Sequence, residues 1–330
     1  MLIAVNFHYV RPSFAYPYPG IHGISPAQFA SQLKLLRRVG SFVSAAELRR
    51  TVERQQPLAS PSLVVTFDDG LREQFDHAWP ILRELDIPAI FFINTLPIAT
   101  GTIAAVHKIH LVRAHLEPAE FERRLRHKAA ERGLSLPTEN DAAAATNHYI
   151  YDTPAAAQLK FLLNFSLPPA ARDAIVAEVF DERFPGREMA MSRQLYLEPE
   201  QIAELGRHEA IGSHAHDHLP LGLLPTAAIE TQTAMASHYL SDWAGYAPYA
   251  MSYPYGSREA CSVTAADVAR RCGIRFAFTM ERAANPDLSR PLHLARFDNN
   301  DLPGGKAARW GIDKLFEGGG SPKWFEAVGA

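Results

Sequence analysis

Three short runs hold residues whose types and spacing can do hydrolytic chemistry. The first is Thr66-Phe67-Asp68-Asp69-Gly70, two adjacent carboxylates that end the apolar run of residues 63–67. Carboxylates beside a core are costly to hold unless they are paired or bind a cation. Consecutive side chains diverge, so one aspartate can ligate a metal while its neighbour faces a bound water. Taken alone, Asp-Asp-Gly more often marks a turn or a helix cap. The second run is Gly212-Ser213-His214-Ala215-His216-Asp217-His218. His214 and His218 are four residues apart, and one helical turn puts both imidazoles on the same side while His216 points elsewhere. With a carboxylate they make a two-histidine, one-carboxylate set with open positions, suited to zinc or another divalent cation. A solvated histidine-rich loop is a fair alternative for this run alone. The third run, Ser252-Tyr253-Pro254-Tyr255-Gly256, reads as a strand end that turns sharply. Such a turn can aim a backbone N–H at a developing oxyanion, although most turns of this composition are turns only.

The elements around these runs decide whether they can meet. Residues 2–7 and 63–67 read as buried strands, as do 88–93, 210–212, 250–253, 275–279 and 292–297. Between them lie helical patterns. Ser25-Pro26-Ala27-Gln28 supplies an N-cap, a proline at the first helical position and a capping-box glutamine, and Ser44 with Glu47 forms a second capping box. A helix over about 71–85 is expected despite Pro80, with others at 200–207 and 226–242. Strands alternating with helices indicate an α/β fold with parallel strands. Each chemical run follows an expected strand, and in parallel β/α barrels the active site gathers at the strands' carboxyl ends. Residues 97–197 change texture: rich in Ala, Glu, Arg and Leu, they read as a helical insertion between barrel units. The tail, 303–330, reads as loose, with a short helix around Trp324.

At 47% hydrophobic and 21% charged residues the chain has the composition of an ordinary globular protein. A net charge of −3 lacks the basic surplus of a nucleic-acid binder. The only cysteines, Cys261 and Cys272, make no disulfide framework, which favours a reducing, cytoplasmic compartment. The N-terminal apolar run lacks a basic region and a cleavage site, and no run of about 18 apolar residues spans a membrane. Fourteen histidines invite a search for metal ligands.

Taken together and in order, TFDDG, then HxxxH, then a Pro-Tyr-Gly turn resemble the polysaccharide deacetylase (NodB-homology) family. The resemblance covers about residues 1–97 and 198–302 and implies a deformed (β/α) barrel of about seven parallel strands with a helical insertion, residues 1–302 in all. It implies hydrolysis of N-acetyl or similar groups on sugars. Carried over by position, Asp69, His214 and His218 would bind the metal, most simply zinc, with cobalt, nickel or manganese as alternatives. Asp68 would be the catalytic base, and the Tyr255 N–H would help hold the oxyanion.

The chain departs from the family pattern in two places. Ser252 stands where an arginine usually orients the catalytic carboxylate, and the late Leu-x-His segment that supplies the acid is not recognisable. Arg296, in Leu294-Ala295-Arg296-Phe297-Asp298, is near the end of the last expected strand and can pair with Asp68; a surface pair with Asp298 or Asp301 is the competing use. His293 lies too deep to be the acid. His8, directly after the first strand, is better placed, and an ordinary buried histidine is equally consistent. Loop aromatics Tyr9, Phe14, Tyr16, Tyr18, Tyr253 and Tyr255 can stack on sugar rings or serve as lids. The expected substrate is an N-acylated sugar, nucleotide-linked, lipid-linked or an oligosaccharide, in polysaccharide or lipopolysaccharide precursor assembly. The competing functions are an amidase on a non-sugar C–N bond and a glycan-binding protein without turnover.

Overall fold

The computed structural model describes residues 1–15, 21, 23–58, 61–136 and 153–325. It divides into two units, one from Met1–Pro12, Gly23–Gly101 and Ser192–Ala330, the other from Ser13–His22 and Thr102–Met191. The second unit contains the helices Ala105–Arg113, Pro118–Glu131, Pro154–Phe161 and Pro169–Arg183. An ion-pair network in which Lys128 meets Glu178 and Glu182, and Arg124 meets Glu120 and Glu182, ties two of them together.

The first unit holds the sheet. Its strands are β1 Leu2–Phe7, β2 Ser41–Phe42, β3 Ser62–Phe67, β4 Ala89–Ile93, β5 Ile211–Ser213, β6 Ala250–Ser252, β7 Phe276–Phe278 and β8 Phe297–Asp298. Seven follow the order β7-β6-β5-β4-β3-β1-β8, and β2 joins β3 off that path. Every strand pairing is parallel. Leu294 bridges Phe278 of β7 while β8 pairs with β1, so the segment from 294 to 298 joins the two edges of the curled sheet. This is the expected deformed barrel of seven parallel strands.

Alternation along the strands explains their continuous apolar runs, because both faces are covered. Val5, Phe7, Val65, Phe67, Phe91 and Ile93 pack outward with helix residues such as Phe29, Leu33 and Leu82. Leu2, Ala4, Val64, Ile90, Phe92, Ala250, Phe276 and Phe278 pack on the concave face. Ser25 and Ser44 cap their helices through complete capping boxes.

Three elements differ from the sequence expectation. The helix over 71–85 is a π-helix, Gln74–Ala78, followed by an α-helix, Trp79–Glu84. Pro80 lacks an N–H and cannot continue an α-register behind it, and Trp79 N–H instead reaches back to Gln74 O. The expected strand 292–297 is a 3₁₀ turn at Pro291–His293, a bridge at Leu294 and a two-residue strand. Pro291 favours a turn start, and the short strand suffices to close the edge. In the tail, the short helix is Leu315–Gly318, not around Trp324, which lies in a turn; Gly319 and Gly320 follow it. Leu315 is buried, and the Glu281 carboxylate accepts the Lys323 and Trp324 backbone N–H groups, so residues 303–325 are held against the barrel. Tyr16 and Tyr18 lie outside the described residues.

Candidate active site

The carboxyl end of β3 delivers Asp68 and Asp69, both nearly inaccessible to solvent. Asp68 continues the inward alternation of Thr66 and meets Arg296 in a bidentate pair, Nη1 to Oδ1 at 2.8 Å and Nη2 to Oδ2 at 2.7 Å. Arg296 is fully buried, its guanidinium carbon 5.9 Å from the ring centroids of both Phe92 and Phe278. It also donates to Asn6 Oδ1, Thr66 Oγ1 and Ser252 Oγ, while Asn6 Nδ2 donates to Asp68 Oδ2 at 3.1 Å. Burial pushes the Asp68 carboxyl up, but the Arg296 charge, helped by His214, outweighs it and holds the group at about 2. Asp68 is therefore a fixed, ionised carboxylate. Ser252 is the small partner that leaves room for the guanidinium. The surface pair considered for Arg296 does not form, and Asp301 instead meets Arg282 and Arg309.

Asp69 turns the other way. It adopts φ 79°, in the left-handed region, and its Oδ1 lies 3.5 Å from His214 Nε2 and 3.3 Å from His218 Nε2. One ligand atom from each residue lies within 4.8 Å of the others, and all three residues are buried. Ligand atoms about 2.0–2.1 Å from a tetrahedral zinc stand about 3.3 Å apart, so the two measured separations match the edge of such a site. The tautomer agrees. His214 Nδ1 is 2.7 Å from the Ser252 carbonyl oxygen, an acceptor only, so Nδ1 carries a proton and Nε2, which faces Asp69, is the nitrogen a neutral ring offers to a cation. Burial acts to lower the His214 pKa, yet the Asp68 and Asp69 charges raise it above its ordinary value. The pocket thus favours positive charge between these groups, and its donor set fits a divalent cation.

The two histidines do not share a helical turn. Residues 214–218 form a loop in which Ala215 and His218 take φ of 60° and 61°. Those two left-handed residues fold the loop back so that both imidazoles face Asp69. Tyr255 has φ 63°, so four residues around the site hold strained backbone, at about 1–3 kcal/mol each. Strain kept at a buried cluster is what a site with imposed geometry shows. His216 is engaged elsewhere, its Nδ1 2.8 Å from Thr95 Oγ1 and its ring stacked on Tyr239. His293 is used too, with Nε2 on the Cys261 carbonyl and its ring against Phe325.

Tyr255 is 44% exposed with its ring 4.9 Å from that of His218, a position from which an aromatic can meet substrate. Tyr253 cannot, because it is fully buried and its hydroxyl donates to Leu292 O. Tyr9 is buried as well. His8 follows β1 on the inward face, half-buried and close enough to lower the Asp68 pKa. Sequence reasoning missed Asn6 and Gln74. Asn6 was detectable as the one polar residue in an otherwise apolar strand. Gln74, whose amide donates to the His8 and Asp68 carbonyl oxygens at 3.0 and 2.6 Å, depends on the π-helix and left no signal.

The sequence model of the polysaccharide deacetylase family matches residues 55–124 and 186–277, which include Asp68, Asp69, His214, His218 and Tyr255 but not His8 or Arg296. No curated protein matches the chain. Similar solved structures include the Streptococcus pyogenes deacetylase PplD in complex with acetate, at 14% identity over 90% of this chain and 91% of that one, TM-score 0.54. IcaB from Ammonifex degensii is 20% identical over 90% of each chain, TM-score 0.54. A de-N-acetylase from Aggregatibacter actinomycetemcomitans is 16% identical over 90% of this chain and 95% of that one, TM-score 0.55. At these identities the structural likeness speaks for the fold, and the sequence match speaks for descent: the chain belongs to the polysaccharide deacetylase family.

Proposed function

We propose that the protein is a metal-dependent hydrolase that removes an N-acyl group, acetyl or formyl, from an amino sugar. The observation that carries this reading is the buried Asp69–His214–His218 cluster beside a second aspartate, Asp68, that Arg296 holds ionised. Asp69, His214 and His218 would hold the ion, whose Lewis acidity polarises a carbonyl and acidifies a bound water. Asp68, whose carboxylate is clamped and charged across the neutral range, would serve as the general base. The Tyr255 backbone N–H, at the turn beside His218, would help hold the oxyanion. His8, on the inward face across from Asp68, would protonate the departing sugar amine. Arg296 fixes the orientation and charge of the base.

The substrate is proposed to be a sugar in polysaccharide or lipopolysaccharide precursor assembly, nucleotide- or lipid-linked or an oligosaccharide. A cytoplasmic setting is supported by two cysteines that are both free thiols. Among the described residues no helix is long and apolar enough to cross a membrane. Assaying N-acetyl and N-formyl amino sugars for released acetate or formate, with zinc, cobalt, nickel or manganese supplied in turn, tests the proposal. Release that depends on metal and is lost in Asp68→Asn is expected; a panel with no release under any metal would remove it.

A further inference from the structure

One buried polar side chain on the concave face has no part in the roles above. Asn94, the residue after β4, is fully buried, and neither its Oδ1 nor its Nδ2 has a hydrogen-bond partner among the described residues. Leaving a buried donor or acceptor unmade costs stability, so such a group calls for an explanation. Local capping is not that explanation. Asn94 occupies the N-cap position of the helix Thr95–Thr100, where asparagine commonly caps, yet its side chain makes no cap bond.

Strand geometry places the amide in the site. Phe92 faces inward against Arg296, and Ile93 packs in the outer cluster. Asn94 keeps an extended backbone, φ −86° and ψ 123°, so alternation returns its side chain to the concave face. The register Phe92↔Gly212 and Ile93↔Ser213 continues to set Asn94 beside His214. On the other side, Phe67↔Phe91 sets Asp68 level with Phe92, two residues below Asn94.

We propose that Asn94 binds the scissile amide of the substrate, its Oδ1 accepting the substrate N–H, and so selects amides over esters. This rests on the N-deacylase reading. A substrate N–H entering a buried site needs an acceptor. The neighbouring polar groups are committed: Asp68 accepts from Arg296 and Asn6, His214 Nδ1 donates to Ser252, and the imidazole Nε2 atoms face Asp69. Accepting the N–H also orients the amide, leaving the far face of its nitrogen for the proton donor. An ester offers no N–H, so it gains nothing from this contact.

The test uses the full chain loaded with zinc, in wild type, Asn94→Leu and Asn94→Ala. Two substrates are compared, the N-acetylated hexosamine oligomer that the wild type cleaves best and 4-nitrophenyl acetate. The variants should lose about 10- to 100-fold in kcat/KM on the amide, and at least tenfold less on the ester. Melting temperatures of the metal-free variants should equal or exceed that of the wild type, because a buried unsatisfied group has been removed. Equal losses on both substrates, or an undiminished amide rate, would overturn the assignment. A lowered melting temperature with equal losses would make Asn94 a structural residue. A wild type that cleaves the ester but no N-acetyl sugar would instead overturn the deacylase reading, and this proposal with it.

Discussion

Asp68 and Asp69 are neighbours in sequence with opposite surroundings. One faces a guanidinium and an amide, the other faces two imidazole nitrogens, and the left-handed turn at Asp69 separates them. Asp68→Asn should keep metal affinity and lose about 10²–10⁴-fold in kcat, the usual worth of a general base. Asp69→Asn should first weaken metal binding; equal metal loss in both variants, read by metal analysis after dialysis, would refute the division. Arg296→Ala removes the charge that lowers the Asp68 pKa and leaves the burial that raises it. The base would then hold its proton to higher pH, so the acidic limb of the rate profile should move upward. Breaking this fully buried pair should also cost about 3–5 kcal/mol of stability, measurable by denaturant unfolding. The aspartates and histidines were legible in the sequence because they stand in short runs at strand ends. The Arg296–Asp68 pair was legible only as one of two options, since 228 residues separate the partners and the choice depends on how the sheet closes.

Strand alternation does the positioning. Asn6, Thr66 and Ser252 come from three strands and Arg296 from the residue just before β8, and they converge because each occupies an inward position. Gly212, on β5, leaves space for the Phe92 ring: a Cβ there would lie 2.4 Å from two of its ring carbons. Gly212→Ala should therefore destabilise by about 1–3 kcal/mol, through displacement of a ring that packs on Arg296. Its kcat should fall more than that of a remote variant of equal stability. Long apolar runs such as β1 and β3 could be read from hydrophobicity. The π-helix after Asp69 and the two-residue β8 could not, because they are settled by tertiary hydrogen bonds and not by local preference.

At the scale of the molecule, the segment from 294 to 298 closes the sheet and carries Arg296, so one short stretch both closes the barrel and orients Asp68. The tail reinforces it, since Glu281 accepts tail N–H groups through its carboxylate and the Arg296 N–H through its carbonyl. A bound cation would add to this. With free zinc at a hundred times Kd, stability should rise by about 2.7 kcal/mol, and chelation should lower Tm accordingly. Affinity should fall as pH drops through the raised His214 titration, because a protonated imidazole cannot ligate. The most direct measurement of the central claim is release of acetate or formate from N-acyl amino sugars by protein stripped of metal and then reloaded with zinc or cobalt. The account predicts turnover that appears with metal in the wild type and stays absent in Asp68→Asn carrying the same metal; turnover equal with and without metal, or none from the reloaded wild type, would contradict it.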